Sequence, residues 1–363
     1  MKTKMKTLKY ISAGVLSLVF AFACDEGIDP ISHVEPGPDE TAPTIAVSYP
    51  LEGTRVQVKE DVAPLGIQFE ATDDIEIQQV AFSLDGTEVG ALSDFKDYRR
   101  AVQTFTYESL TNGDHTLVVT VTDLSGKSTS ATVNFEKVAP YQPVFDGEVF
   151  YMPFDGDYME LVNILTATKV GSPAFNDAGV YGKSYAGAAD SYLTLPTTGI
   201  TTNEFSAAFW YNLNSSPDRS GILTIGPPDP NLPATPNNRK NGFRFFREGS
   251  PTNQTFKLNV GNGASDSWFD GGAAASLDPS TTDWVHLAFT ISETKVFVYI
   301  DGEIVSQGDF TGVDWTGCDI LSIASGAPRF TEWGHMSDQS LFDELRIFNK
   351  ALTQDEVKAI FEY

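Results

Sequence analysis

The sequence predicts an all-β fold made of two successive sandwiches, and three observations carry that prediction. Of 363 residues, 25 are Phe and 13 are Tyr, an aromatic content that favours strands over a helical bundle. Short runs of β-forming residues recur between turn residues along most of the chain. Two dipeptides, Asp85-Gly86 and Asp301-Gly302, lie between such runs and are typical of two-residue hairpin turns. The length allows two ordinary domains.

The charge composition excludes a basic nucleic-acid surface. The chain has 49 Asp+Glu against 24 Lys+Arg, which gives a formal net charge of -25. A surface of that charge repels polyanions, so we expect no nucleic-acid partner. Neutral glycans remain compatible partners.

Residues 1–23 are predicted to be a lipoprotein signal peptide. Four lysines precede an apolar run at 11–22 that is too short to span a bilayer, and residues 21–24 resemble a lipobox. We therefore expect Cys24 to carry lipid and the protein to be anchored to the outer membrane, surface-exposed. An ordinary secretory signal and a periplasm-facing orientation are the alternatives. Residues 24–42 read as a flexible tether, similar to acidic segments that direct lipoproteins to the cell surface, or as a plain spacer.

The first sandwich is predicted over residues 43–138. Its β-forming runs, spaced as in a Greek-key sandwich, lie at 44–47, 65–71, 79–84, 115–122 and 131–135. Acids at strand ends, Asp73, Asp74 and Asp123, either cap turns or hold calcium, and we expect capping because their side chains accept turn amides.

After a linker at 139–147, the second sandwich is predicted over residues 148–363. Three runs, at 205–211, 284–291 and 295–300, are apolar on nearly both faces, as expected for strands with both faces covered. One short C-terminal helix is predicted after Thr353, because Thr353 and Glu356 form a capping-box pattern.

The remaining Cys and His residues favour structural roles. With Cys24 lipidated, Cys318 has no partner for an intramolecular disulfide, and we expect it to be a buried thiol. Four scattered His make neither a triad nor a zinc site. His286 lies in an apolar run and is predicted to be a hydrogen-bonded core residue.

Seven sequence blocks follow one another through the second sandwich. They lie at 154–156 (Phe-Asp-Gly), 181–187, 191–196, 205–211, 284–287, 298–302 and 342–352 (Phe-Asp-Glu-Leu-Arg-Ile-Phe-Asn-Lys-Ala-Leu). In this order they resemble laminin-G-like (concanavalin A-like lectin/glucanase) domains, and residues 113–126 resemble bacterial immunoglobulin-like domains. The resemblance implies an immunoglobulin-like Greek-key sandwich followed by a concanavalin A-like jelly roll, whose concave face or rim loops often bind carbohydrate.

This arrangement of tether, spacer and module is similar to surface glycan-binding lipoproteins of polysaccharide-utilisation systems. The resemblance implies capture of a polysaccharide or oligosaccharide without cleavage, beside other outer-membrane uptake proteins. A surface adhesion or scaffold protein that binds another protein is the main alternative, since a fold does not establish a function.

An enzyme is the less favoured alternative. Retaining glycosidases hold two carboxyls about 5 to 5.5 Å apart, in this fold on alternate residues of one strand, and no Glu-x-Asp-x-x-Glu string occurs. Asp343 and Glu344 are adjacent, which predicts opposite faces of a strand. A lyase would need a Tyr/His or Tyr/Lys pair, and Lys183 falls where the family carries a structural strand entry.

Sugar recognition needs aromatic faces and planar polar groups, and three segments offer both. They are the Gly-rich segment 263–272, the segment 329–335, and 237–241 after a Pro-rich insertion at 227–236. The candidate ligand-binding residues are Trp268, Asp266, Asp270, Arg329, Trp333 and Arg239. For Trp333, packing under the rim is an equal alternative, and Arg244 and Arg247 are expected to form ion pairs.

The resemblance also implies a structural calcium ion that clamps the first and last strands. Asp155 and Asp343 stand at the matching positions and offer the carboxylate oxygens that calcium prefers. Both residues could equally cap turns.

Overall fold

The computed structural model describes residues 37–363. The predicted signal peptide, Cys24 and most of the tether lie outside the described residues. Two compact units make up the chain: the described residues up to 54 with 64–109 and 114–135 form the first, and 55–63, 110–113 and 136–363 form the second. Within residues 37–363 no helix is long and apolar enough to cross a membrane.

The secondary structure of the described residues is nearly all strand. A 3-10 turn (Gly272–Ala275) and one helix, α1 (Gln354–Phe361), are the exceptions. The strands, numbered in chain order, are β1 (Thr44–Tyr49), β2 (Arg55–Val56), β3 (Ala63–Thr72), β4 (Ile77–Leu84), β5 (Thr87–Leu92), β6 (Arg100–Leu110), β7 (Gly113–Asp123), β8 (Ser128–Lys137), β9 (Glu148–Met152), β10 (Met159–Glu160), β11 (Leu165–Thr166), β12 (Thr168–Val170), β13 (Ala174–Asn176), β14 (Ser184–Ala186), β15 (Tyr192–Pro196), β16 (Phe205–Asn212), β17 (Arg219–Ile225), β18 (Phe243–Ser250), β19 (Asn253–Gly261), β20 (Asp266–Asp270), β21 (Ser276–Leu277), β22 (Trp284–Ile291), β23 (Lys295–Ile300), β24 (Glu303–Asp309), β25 (Ile320–Ile323) and β26 (Leu341–Phe348).

Strands β1 to β8 form two sheets, ordered β1-β3-β6 and β2-β8-β7-β4-β5. Alternate residues of β3 and β7 are buried, which is the period-2 pattern of a sandwich. The hairpin predicted between β4 and β5 is confirmed, since Asp85 and Gly86 both have the positive φ of a type I′ turn. Asp73 Oδ2 accepts the amides of Ile75 and Glu76, and Asp123 accepts that of Lys127, as the capping interpretation predicts.

Strands β9 and β12 to β26 build a larger sandwich of two eight-stranded sheets, and β10 pairs with β11 in a separate two-stranded sheet. Sheet 1 runs β12-β15-β25-β17-β18-β19-β20, with β21 also on β19. Sheet 2 runs β13-β14-β26-β16-β22-β23-β24, with β9 on β26. A continuous apolar core fills the space between the sheets and includes Phe205, Phe245 and Phe289. The predicted fold class is confirmed.

Helix α1 explains why the central strands of sheet 2 are apolar on both faces. Strands β16, β22 and β23 are the three predicted runs, and one face of each meets the core. On their other face Val357 and Ile360 of α1 pack against Ala208 and Ala288. The capping box is confirmed: Thr353 accepts the amide of Glu356, whose carboxylate accepts the amide of Thr353.

Two core predictions have different outcomes. Cys318 is a buried free thiol, as expected, and burial raises its pKa to about 12. His286 is buried between the rings of Trp210 and Phe361, and its Nδ1 has no hydrogen-bond partner, so the predicted hydrogen bond is missing at that atom. Burial lowers the pKa of His286 to about 3.

The candidate site lies on the face of sheet 1 that points away from the core. Cross-strand pairing aligns one residue from each of five neighbouring strands, in the order Ser322, Thr224, Arg244, Asn259 and Trp268, which we call the cross-strand row. Segments 226–242 and 324–340 lie over this row and contact each other, for example through the amide of Thr331 and the carbonyl of Pro236.

Candidate functional site

The structure brings together two tryptophans that the sequence places in separate segments. Trp268 is carried by β20, and Trp333 lies in the connection between β25 and β26. Their rings stack with centroids 5.7 Å apart and an angle of 26° between planes. Trp268 is 40% exposed and Trp333 36% exposed, so both rings combine a packed and a solvent-facing part. We call them the tryptophan pair.

A layer of buried rings supports the tryptophan pair from below. Phe246 makes an edge contact with Trp268 at 5.9 Å, and Phe330 makes one with Trp333 at 5.7 Å. His335 stacks on Phe330 and touches Phe246. Phe330 and His335 lie in the predicted segment 329–335. Sequence reasoning missed Phe246, although it alternates with the core residue Phe245 on β18 and so points to the outer face. Buried rings thus pack against both members of the tryptophan pair.

Arg239 lies over both rings of the tryptophan pair. Its guanidinium carbon is 5.0 Å from the ring centre of Trp333 and 5.9 Å from that of Trp268, within cation-π range. Nη1 of Arg239 approaches Asp266 Oδ2 at 3.4 Å, and the same oxygen accepts a hydrogen bond from Asn259 at 2.8 Å. Arg239, Asp266, Trp268 and Trp333, predicted from three segments, thus form one site.

A polar depression lies beside the tryptophan pair. It has a volume of about 390 Å³ and is lined by Asp229, Pro230, Asn231, Asn237, Asn238, Arg239, Lys240 and Asp266. The Pro-rich insertion supplies its wall, because Asp229 accepts the backbone amides of Asn231, Leu232 and Asn237 and thereby fixes that loop. Amide, carboxylate and guanidinium groups, the planar partners of sugar hydroxyls, therefore converge here.

Asp270 and Arg329 do not line this depression. Asp270 forms an ion pair with Lys257 at 2.8 Å, and Lys257 also binds Glu248. Arg329 pairs with Asp319 at 2.7 Å. Asp270 and Arg329, both predicted to bind ligand, are thus each held in an ion pair with a neighbouring side chain.

The ion pairs predicted for two arginines of β18 are confirmed for one and wrong for the other. Arg247 pairs with Asp338 at 3.2 Å, and both side chains are completely buried. Arg244, equally buried, forms no ion pair with any carboxylate of residues 37–363, because loop carbonyls cover it instead. The two arginines are three positions apart on a strand and therefore point to opposite faces of sheet 1.

Asp155 and Asp343 bind the same loop. Asp343 Oδ2 accepts the amides of Val180 at 2.6 Å and Tyr181 at 3.0 Å, and Asp155 Oδ1 accepts that of Lys183 at 2.8 Å. The other oxygen of Asp343 is buried without a partner, and burial raises the pKa of this carboxyl to about 7. In residues 37–363 no group of three or more His, Cys, Asp or Glu could hold a metal. Calcium at Asp155 and Asp343 stays a prediction.

The expectation that Asp343 and Glu344 point to opposite faces is wrong. Phe342 and Leu345 on either side both enter the core, so the strand carries a bulge there. Glu344 adopts a φ of 55°, and both acids lie outside the core. Glu344 is bound by Tyr151 and by Arg346, which makes it a member of a closed polar network.

Two protein-family models match parts of this chain. Residues 187–358 match the concanavalin A-like lectin/glucanases superfamily. Residues 43–119 match the bacterial Ig domain family. The predicted order of an immunoglobulin-like and a laminin-G-like domain is confirmed. A comparison with curated proteins found no match.

Several solved structures are similar to part of this chain. Domain 4 of AbnA, a GH43 extracellular arabinanase from Geobacillus stearothermophilus, in complex with arabinotriose, is 22% identical, with a TM-score of 0.44, over 59% of this chain and 97% of that chain. The binding domain of botulinum neurotoxin DC in complex with SialylT is 14% identical, with a TM-score of 0.42, over 60% and 51%. The binding domain of Paraclostridial Mosquitocidal Protein 1 is 15% identical, with a TM-score of 0.40, over 60% and 52%. The chain spans about half the length of these toxin binding domains.

Proposed function

We propose that this protein binds a glycan at the tryptophan pair and does not cleave it. The observation that carries the proposal is the pair itself: two stacked, half-exposed indole rings beside a polar depression. Indole faces contact the apolar face of a sugar ring, and planar polar groups bind its hydroxyls. Trp268, Trp333, Asp266 and Arg239 are the proposed binding residues.

The support beneath the rings favours recognition of a ligand. Phe246, Phe330 and His335 are almost completely buried and hold the two indoles in place. Binding to a site that is already ordered costs little conformational entropy. The tryptophan pair is therefore suited to bind the apolar face of a sugar ring.

A protein partner is the second candidate function. Leu232 and Met336, from the two segments around the site, are 41% and 40% exposed, and exposed apolar side chains occur in protein interfaces. The neighbouring depression is polar, which favours a sugar over a flat apolar partner surface.

The partners of two acids at the site support binding without cleavage. A glycosidase needs two carboxyls that share one substrate. Asp229 is occupied by three loop amides, and Asp266 accepts bonds from Asn259 and Arg239. Both acids thus serve to hold the site in shape.

We propose for the whole chain a lipid anchor at Cys24, a tether and the two sandwiches, placed at the outer membrane in polysaccharide uptake. The acidic tether after Cys24 and the order of the domains support this arrangement. Labelling of intact cells with a fatty-acid probe, and its loss in Cys24→Ala, tests the anchor.

A glycan array with the full chain, with and without calcium, tests the function. Trp268→Ala and Trp333→Ala should each weaken binding by roughly tenfold, because a lost aromatic contact is worth about 1 to 2 kcal/mol. Tyr181→Ala removes a comparably exposed ring elsewhere in the domain and should bind as wild type does. Unchanged binding by the Trp268→Ala/Trp333→Ala double variant contradicts the proposed site. A folded wild type that binds no glycan shifts the function to the protein partner.

A further inference from the structure

Arg244 is a buried cation that forms no ion pair with the acids of residues 37–363. Its side chain is fully buried on the outer side of sheet 1, beneath segment 226–242. Only Nη2 is engaged, by the backbone carbonyls of Asn238 and of Asn241. Burial lowers the pKa of Arg244 to about 10, because the loss of solvent outweighs the opposing effect of the Asp266 charge.

Several hydrogen-bonding atoms around Arg244 have no partner. Nε and Nη1 of the guanidinium are both unpaired, as are the hydroxyls of Thr224 and Ser322. Thr224 is the direct cross-strand partner of Arg244, and Ser322 is that of Thr224. Directly opposed residues have Cβ atoms about 4.5 to 5.5 Å apart, so Thr224 lies one strand spacing from Arg244, and Ser322 lies two strand spacings away on the same side. Leaving buried donors unpaired is costly, which points to a bound acceptor.

The surroundings suit a small group with acceptor oxygens. Gly226 lies against the guanidinium, where a Cβ would come within 3.1 Å of Nη2, so the absence of a side chain keeps the space open. The ring of Phe330 stands 5.9 Å from the guanidinium carbon and shields it from water. A guanidinium and two hydroxyls offer several donors and one positive charge, which a carboxylate complements.

We propose that Arg244 binds a carboxylate, with the Thr224 and Ser322 hydroxyls as additional donors. The cross-strand row continues from Arg244 through Asn259 to Trp268. Strand spacing places Trp268 about 10 Å along the row from Arg244. The carboxylate therefore belongs either to a free small anion or to an acidic sugar unit next to the sugar unit bound at the tryptophan pair. Only the second of these two sources rests on the proposed function. Segment 226–242 must move for the ligand to reach Arg244.

Thermal unfolding of the full chain at fixed ionic strength, in acetate, glucuronate or glucose, tests this site. A carboxylate that binds the native state should raise the Tm by about 2 to 4 °C at concentrations well above its Kd, whereas glucose should not. Arg244→Gln should abolish the shift. Arg100→Gln, which removes an exposed arginine of β6 in the first sandwich, should keep the acetate shift. Shifts with both carboxylates indicate the free anion, and a shift with glucuronate alone indicates the acidic sugar.

Thr224→Val keeps the test decisive if Arg244→Gln does not fold. It removes the unpaired hydroxyl with little change in shape, so the variant should unfold at the same or a higher temperature without acetate and should show a smaller acetate shift. Wild type that gains nothing from either carboxylate, or variants that gain as much as wild type, overturn the proposal. A normal acetate shift without any glycan binding contradicts only the proposed function, and glycan binding without any carboxylate shift contradicts only this inference.

Discussion

His335 and His286 are buried in the neutral form, which makes stability depend on pH at the residue scale. Burial lowers the pKa of His335 to about 4, although Glu248 at 3.3 Å opposes the shift, and lowers that of His286 to about 3. In the unfolded chain both titrate near 6.5, so the unfolded state binds more protons as pH falls. Their contribution to stability is complete above about pH 6.5 and is lost as pH falls towards 4.

Replacement of His335 isolates its part of this dependence. His335→Gln should lose less stability than wild type between pH 7 and pH 4.5, as measured by urea unfolding at several pH values. His286→Gln serves as the parallel variant away from the site. An unchanged difference between the two pH values in His335→Gln would show that the pKa of His335 is the same in the native and the unfolded state.

The calcium prediction also belongs to single side chains. If calcium binds at Asp155 and Asp343, addition of calcium should raise the Tm of wild type, because a ligand of the native state stabilises it. Asp343→Asn should remove this increase. If wild type has the same Tm with calcium and with a chelator, calcium does not bind there. Asp343 and Asp155 then act only as turn caps, which accept the amides of Tyr181 and Lys183.

At the scale of elements, a buried ion pair fixes the segment that carries Trp333. Asp338, which follows Trp333 closely in the chain, binds Arg247 of β18 and Tyr211 of β16. Gln254 of β19 completes the network. The segment is thus attached to both sheets of the sandwich.

Breaking this network should be costly. Asp338→Ala should lower the free energy of unfolding by roughly 3 to 5 kcal/mol, because Arg247 is left as an unpaired buried charge. The double variant Asp338→Leu/Arg247→Met should lose less, since both charges are removed. Denaturant unfolding measures both, and equal losses in the two proteins would show that the ion pair itself is not what matters.

Helix α1 depends on its capping box to cover the outer face of sheet 2. Thr353→Ala should cost about 1 kcal/mol of unfolding free energy, because the amide of Glu356 loses its acceptor. Thr353→Ser keeps the hydroxyl and should remain close to wild type. Chemical unfolding that shows no difference between the two variants would mean that α1 contributes little to the stability of the sandwich.

At the scale of the whole molecule, features set by local sequence patterns were predicted correctly, whereas a feature set by long-range contacts was not. The hairpins at Asp85-Gly86 and Asp301-Gly302, the helix cap at Thr353 and the all-β class follow from neighbouring residues, and all are confirmed. The bulge at Glu344 escaped prediction because it depends on register with β16 and not on alternation within β26.

Local sequence patterns predicted the strands, the turns, the order of the two domains and the residue types of the proposed binding site, because periodicity and turn chemistry act over a few residues. Only the tertiary structure decided that Trp268 and Trp333 stack, that Phe246 and His335 support them, and that Arg247 is paired while Arg244 is not. These contacts join segments distant in the chain, and their geometry is set by strand register and by the path of the loops over sheet 1.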